Sequence, residues 1–169
     1  GRLDIIHKDG WFAQPPSEKE AWKAHKFVFA PRGGAQMFAY DVDGDGDNDI
    51  ITSLAAHEFG LAWFEQMKAE GDAGGITFKK HLIMGSTRRE NKYGVVFSEL
   101  HATGLHDMDG DGLKGIVTGK TYWSHHKQSP QWDATEPVIA ANKTAAIQLL
   151  AKTKIPKMRQ YITRRLASK

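Results

Sequence analysis

Apolar residues come in short bursts along this chain, separated by polar and glycine-rich turns. The bursts recur in a fixed order. GRLDII (1–6) is followed by GWFAQP (10–15), DGDNDII (45–51) by LAWFEQ (61–66), and DGLKGIV (111–117) by KTYWSHH (120–126). A Lys-plus-apolar stretch comes next, HKFVFA (25–30) in the first case and KKHLIM (79–84) in the second. MFAYDVD (37–43) and LHATGLHDMD (100–109) then lead into the following unit. Short runs of this kind, rich in β-branched and aromatic residues and bounded by turn residues, predict an all-β array. Each unit reads as acidic turn, strand, aromatic strand, polar loop, strand and lead-in strand.

The three units align on glycines. Setting Gly1 on Gly46 places Asp4, Ile5 and Ile6 on Asp49, Ile50 and Ile51, and Gly112 falls on Gly46 in the third copy. Unequal spacing between the copies points to loop insertions rather than a rigid solenoid. Beginning inside a repeat, at Gly1, leads us to expect a fragment of a longer repeat protein or a truncated gene product.

The pattern changes after about residue 134. The text from Thr135 onward is Ala- and Lys-rich and has no glycine. Pro137 suits a first helical turn, and Pro156 breaks a helix. Ile155, Met158, Ile162 and Leu166 lie on one helical face. These features predict helices over 137–153 and 157–167, the second packing its apolar face on the repeats. Two segments follow: a β repeat region over 1–133 and a basic helical tail over 134–169.

Charge sharpens this division. Residues 1–142 hold 15 Lys and Arg against 20 Asp and Glu, a net −5, whereas residues 143–169 hold eight Lys and Arg and no acid. The chain's +3 therefore belongs to its tail, and no nucleic-acid partner is expected from the total. No apolar run approaches the roughly 18 residues of a membrane span. No signal-peptide pattern is visible. The 169 residues include no cysteine, which excludes a disulfide framework, a thiolate nucleophile and a cysteine-ligated metal.

The chemistry concentrates in the acidic turns. In DVDGDGDNDII (41–51), Asp41, Asp43, Asp45, Asp47 and Asp49 occupy alternate positions with Gly44 and Gly46 between them. Carboxylates so close together repel, and a cation offsets the repulsion. Hard oxygen donors at alternate loop positions, with glycines for a tight wrap, describe a Ca²⁺ loop. Asp41, Asp43, Asp45 and Asp49 stand at positions one, three, five and nine, and Asp47 contributes through its backbone carbonyl at position seven. An EF-hand requires a bidentate Glu at position twelve; Thr52 is there instead, and a strand follows the loop. The second loop, DMDGDGLKGIV (107–117), supplies Asp107, Asp109 and Asp111, with Leu113 for the carbonyl, but Gly115 stands at position nine and makes it the weaker site. Asp4 is all that remains of a first copy.

The repeat text DVDGDGDNDIITS, GLAWFEQ and DMDGDGLKGIVTGKTYW resembles the FG-GAP/VCBS-type repeats over residues 1 to about 133. That resemblance implies four-stranded β-propeller blades, two units plus a partial one here, with Ca²⁺ in the DxDxDG loops. It implies an exported or cell-surface protein that binds a protein or glycan ligand as a scaffold module. The alternative it carries is part of a metal-dependent sugar-active enzyme, a lyase or hydrolase, on the same propeller. Two full units cannot close a ring of four to eight blades, so open blade edges are expected to promote association.

Other groups add less. Trp11, Trp63 and Trp123 recur once per unit and read as packing aromatics, whereas Trp22 and Trp132 lie outside the pattern and are freer to meet a ligand. The eight histidines include His57 and His125 at loosely comparable places, and imidazoles meeting near an axis could hold zinc or iron; with no HxH or HExxH spacing, they read rather as surface or hydrogen-bonded groups. No nucleophile elbow or Walker loop is present, and no catalytic residue is assigned.

Overall fold

A computed structural model of the chain describes residues 2–70, 75–90, 96–120, 138–142 and 147–149. These residues are mainly β, in three antiparallel sheets. The first sheet joins β1 (Ile5–His7), β2 (Gly10–Ala13) and β3 (Lys23–Lys26) in that order. The second is a four-stranded meander of β4 (Met37–Tyr40), β5 (Asp49–Ser53), β6 (Leu61–Lys68) and β7 (Ile76–Met84). The third runs β8 (Ala102–His106), β9 (Gly115–Lys120), β10 (Val138–Asn142) and β11 (Ile147–Leu149). Among the described residues the one helical element is a 3₁₀ turn at Arg88–Glu90.

The sequence repeat is kept in the strand register. Ile5 pairs with Phe12 and Ile6 with Trp11; in the second sheet Ile50 pairs with Phe64 and Ile51 with Trp63. The next strand preserves the match, since Trp11 lies opposite His25 and Trp63 opposite His81. Both pairs are stacked, with ring centroids 4.6 Å and 4.2 Å apart. Sequence periodicity selected the tryptophans as packing groups, and Trp11 and Trp63 are indeed buried. The histidine partners were missed. Their signal lay in the HKFVFA and KKHLIM stretches, but pairing across an insertion of variable length is not visible in one dimension.

Why two adjacent isoleucines close the first acidic loop becomes clear in the middle sheet. Adjacent residues of a strand point to opposite faces, and here both faces are covered. Ile51, Leu61 and Trp63 point into a cluster with Ile83, Met84, Phe97, Leu100 and Ile116, which reaches the third sheet. Ile50, Ala62 and Phe64 join Phe29 on the other face, with Ile6, Phe27 and Phe78 around them. Phe29 and Phe64 meet edge to face at 5.2 Å. Every residue of β5 is buried. Truncating a core phenylalanine such as Phe64 costs about 3–5 kcal/mol.

The helix expected over 137–153 is corrected: residues 138–142 and 147–149 within it are strands. β10 pairs residue for residue with β9, from Val138 on Lys120 to Asn142 on Ile116. Alanine is the best helix former, but intrinsic propensity is a small bias that tertiary context overrides. The open edge of β9 offers unpaired backbone groups, and a strand laid along it satisfies them. The third sheet thus draws strands from both sides of residue 134. The helix expected over 157–167, with Ile155, Met158, Ile162 and Leu166, lies outside the described residues, as do Trp123, His125 and Trp132. The aromatic strand expected at 120–126 lies outside them too, except Lys120, which ends β9.

Candidate metal centres

Each acidic turn joins a lead-in strand to the first buried strand of its sheet, β4 to β5 and β8 to β9. The two turns fold alike. Asp41 Oδ1 accepts the Gly44 N–H at 2.7 Å and its Oδ2 accepts the Gly46 N–H at 3.1 Å. Asp107 repeats this, accepting from Gly110 at 2.8 Å and from Gly112 at 3.0 Å. The fifth-position carboxylate takes the seventh-position N–H in both, Asp45 from Asp47 at 3.0 Å and Asp111 from Leu113 at 3.1 Å. Gly44, Gly46, Gly110 and Gly112 all have φ between 77° and 95°. Glycine adopts that left-handed backbone without a Cβ penalty, and the wrap depends on it.

In the first loop, carboxylate oxygens of Asp41, Asp43 and Asp49 come within 4.8 Å of one another. Asp45 and Asp47 stand outside that group of side-chain oxygens. In the second loop Asp107, Asp109 and Asp111 form the corresponding group. Leu113 is exposed at its expected seventh position, and Gly115 opens β9 opposite His106, as Asp49 opens β5 opposite Tyr40.

Asp49 does more than its ligand spacing predicted. It is 1% exposed. Its Oδ2 accepts the Val42 N–H at 3.0 Å and its Oδ1 the Gln66 N–H at 2.8 Å, so it ties the loop to β6. Each carboxylate oxygen has a second lone pair for a cation. Burial pushes the Asp49 carboxyl above its ordinary range, partly offset by the Gln66 and Val42 hydrogen bonds and reinforced by the charges of Asp43 and Asp47. Asp47 Oδ1 is buried with no hydrogen-bond partner. A buried carboxylate pressed by like charges and a buried oxygen lacking a donor are what a hard cation would relieve. The residues of the first loop fit Ca²⁺ on that ground. When bound, the ion would supply charge neutralisation and cross-linking of the turn.

A third group was not assembled from sequence. His57 lies in the turn between β5 and β6, while Glu99 and His101 lie just ahead of β8. One ligand atom from each of the three comes within 4.8 Å of the others. Glu99 Oε2 is 3.2 Å from His101 Nε2 and 3.7 Å from His57 Nδ1. The imidazole rings meet edge to face at 4.6 Å. The Glu99 side chain is 3% exposed and flanked by the fully buried Ser98 and Leu100. Among the described residues Glu99 is the one non-glycine with positive φ, at 63°. Such a conformation costs of order 1 kcal/mol or more. Its N–H donates to the Glu58 carbonyl at 3.2 Å, which joins the two segments. Arg32 pairs with the Glu58 carboxylate beside them. His57 and His101 are far apart in sequence and share no short motif, so only the approach of the two sheets reveals them.

No family model matches this chain, and no curated protein or solved structure matches it significantly. No helix among the described residues is long and apolar enough to cross a membrane.

Proposed function

We propose that the chain is a calcium-binding β-repeat module whose sheets are propeller-type blades, and that it serves as a binding or scaffold domain outside the cytoplasm. One observation carries this reading: two acidic turns on consecutive sheets close with the same hydrogen bonds and the same left-handed glycines, each at a lead-in strand junction. Such congruence favours a shared ligand over two unrelated solvated turns. The DxDxDG spacing makes that ligand Ca²⁺. Blade geometry is supported by the four-stranded meanders and by the two-faced burial of the middle sheet. The extracytoplasmic setting rests on the resemblance of the repeats alone, and a module in such calcium-rich surroundings would need an affinity of only about 10⁻⁴ to 10⁻³ M. The ligand of the scaffold is a protein or glycan by the same resemblance.

Thermal unfolding with and without Ca²⁺ tests the reading. A site of Kd about 10⁻⁴ M filled at about 1 mM stabilises the fold by about 1.4 kcal/mol. For a domain of this size that raises Tm by roughly 3–6 °C. Identical melts in millimolar Ca²⁺ and in EDTA refute it.

A further inference from the structure

The His57, Glu99 and His101 group differs in chemistry from the acidic turns. Two imidazoles with one carboxylate make a donor set for a borderline transition metal, whereas Ca²⁺ takes oxygen donors. We propose that His57, Glu99 and His101 form a Zn²⁺-class site, separate from the calcium loops.

The geometry supports one ion shared by three ligands. Zn–N and Zn–O bonds of about 2.0–2.1 Å at tetrahedral angles place neighbouring ligand atoms about 3.3 Å apart. The two distances to Glu99 Oε2, 3.2 Å and 3.7 Å, bracket that value. Two of the three ligand-atom separations thus already suit a shared ion, and the third lies within 4.8 Å. The backbone is already committed: Glu99 holds its left-handed φ and bonds to Glu58, which brings the segment ahead of β8 against the turn that carries His57. Glu99 is buried, and the two histidines remain 44% and 40% exposed. The carboxylate thus sits at the floor and the imidazole rings nearer the surface. The group draws on loops ahead of β6 and ahead of β8, so an ion there would also fasten the second sheet to the third.

The test is titration of the full chain, stripped with chelator and then kept in millimolar Ca²⁺ so that the acidic loops are filled. Co²⁺ serves as the spectroscopic probe and Zn²⁺ as the competitor. We expect one Co²⁺ with the intense visible bands of four- or five-coordination, displaced by Zn²⁺ at one equivalent. His57→Ala and His101→Ala should each weaken Zn²⁺ binding at least about tenfold, the least that even an outer-shell loss causes. Glu99→Gln should do the same, while Asp41→Ala should leave Zn²⁺ binding unchanged and lose the calcium response. Should Glu99→Gln fail to fold, the two exposed histidine positions still decide the matter, with the calcium-dependent melt as the check on folding. Absence of Zn²⁺ binding, binding unchanged in both histidine variants, or binding lost with Asp41→Ala overturns the site. A missing calcium response with an intact Zn²⁺ site would fault the proposed calcium module alone.

Discussion

The two acidic turns share a backbone, and of the four positions at which they differ the ninth matters most. In the first, the ninth residue is Asp49, buried, accepting from Val42 and Gln66, and grouped with Asp41 and Asp43. In the second, the ninth residue is Gly115 and no side chain reaches back. There the tie is made from outside, by the Tyr40 hydroxyl of β4, which accepts the Lys114 N–H at 3.0 Å, with the Lys114 ammonium 5.6 Å from the Tyr40 ring centroid. The first turn is therefore anchored within its own sheet and the second leans on its neighbour. The wrap is kept with the first- and fifth-position carboxylates and two glycines and does not require a ninth-position side chain; the proposed calcium affinity does.

The largest expected effect separates anchoring from ion binding. Asp49→Ala removes both acceptors and leaves the N–H groups of Val42 and Gln66 unsatisfied. At about 1–3 kcal/mol for each buried orphan, the loss should reach about 3 kcal/mol in EDTA, where calcium plays no part. Asp107→Ala, whose contacts are exposed, should cost about 1 kcal/mol or less in the same urea titration. Equal losses would erase the distinction between the turns.

Calcium affinity comes next in size. Asp41→Ala should remove most of the roughly 1.4 kcal/mol of calcium stabilisation, and Asp107→Ala a smaller part. Calorimetric titration in which Asp107→Ala abolishes the tighter site would reverse the order. The converse experiment repairs the weak loop. Gly115 is not among the glycines with left-handed backbone, so Gly115→Asp can supply the missing ninth-position carboxylate. We expect tighter binding at the second turn by about tenfold, or about 1.4 kcal/mol. No change would mean that Gly115 is not what weakens that loop.

The smallest effect is on pH dependence without calcium. The folded Asp49 carboxyl titrates above its ordinary 3.8. Between those two values the folded state holds more proton than the unfolded one, so this group's contribution to stability falls as pH rises through the window. Glu65 and Glu90 act in the opposite sense. The His81 hydrogen bond, followed by Lys79, holds Glu65 below its ordinary 4.5, and Ser86 with Thr87 holds Glu90 below it. Their contribution is present above 4.5 and fades as pH drops through the lowered values. Both are solvent-facing, so the effect is modest. Comparing the chain with Asp49→Asn in EDTA isolates the first term: the original should gain on the variant as pH falls from neutral toward 3.8. Parallel pH profiles would show that Asp49 is not perturbed.

Much of the first sheet and nearly all of the second were legible as text. The repeat spacing located β1, β2 and β4 to β9, and the alignment of Gly1 with Gly46 anticipated the register that pairs Ile6 with Trp11 as Ile51 pairs with Trp63. The failure at residues 138–149 has a simple cause. Alanine-rich text carries a weak helical preference, and a free strand edge outweighs it.

Local features were legible in the text alone: alternate carboxylates, glycines where the backbone turns left-handed, and the paired isoleucines of β5, which is covered on two sides. These follow from neighbours a few residues apart, where spacing and geometry are the same information. Tertiary structure alone decided the rest. It made Asp49, a candidate ligand by its spacing, an anchor as well, because Gln66 lies 17 positions away and meets it only across the β5–β6 pairing. It stacked Trp63 on His81. It also brought His57 to Glu99 and His101, since contacts between sheets depend on how loops of unequal length close, and no period in the chain records that.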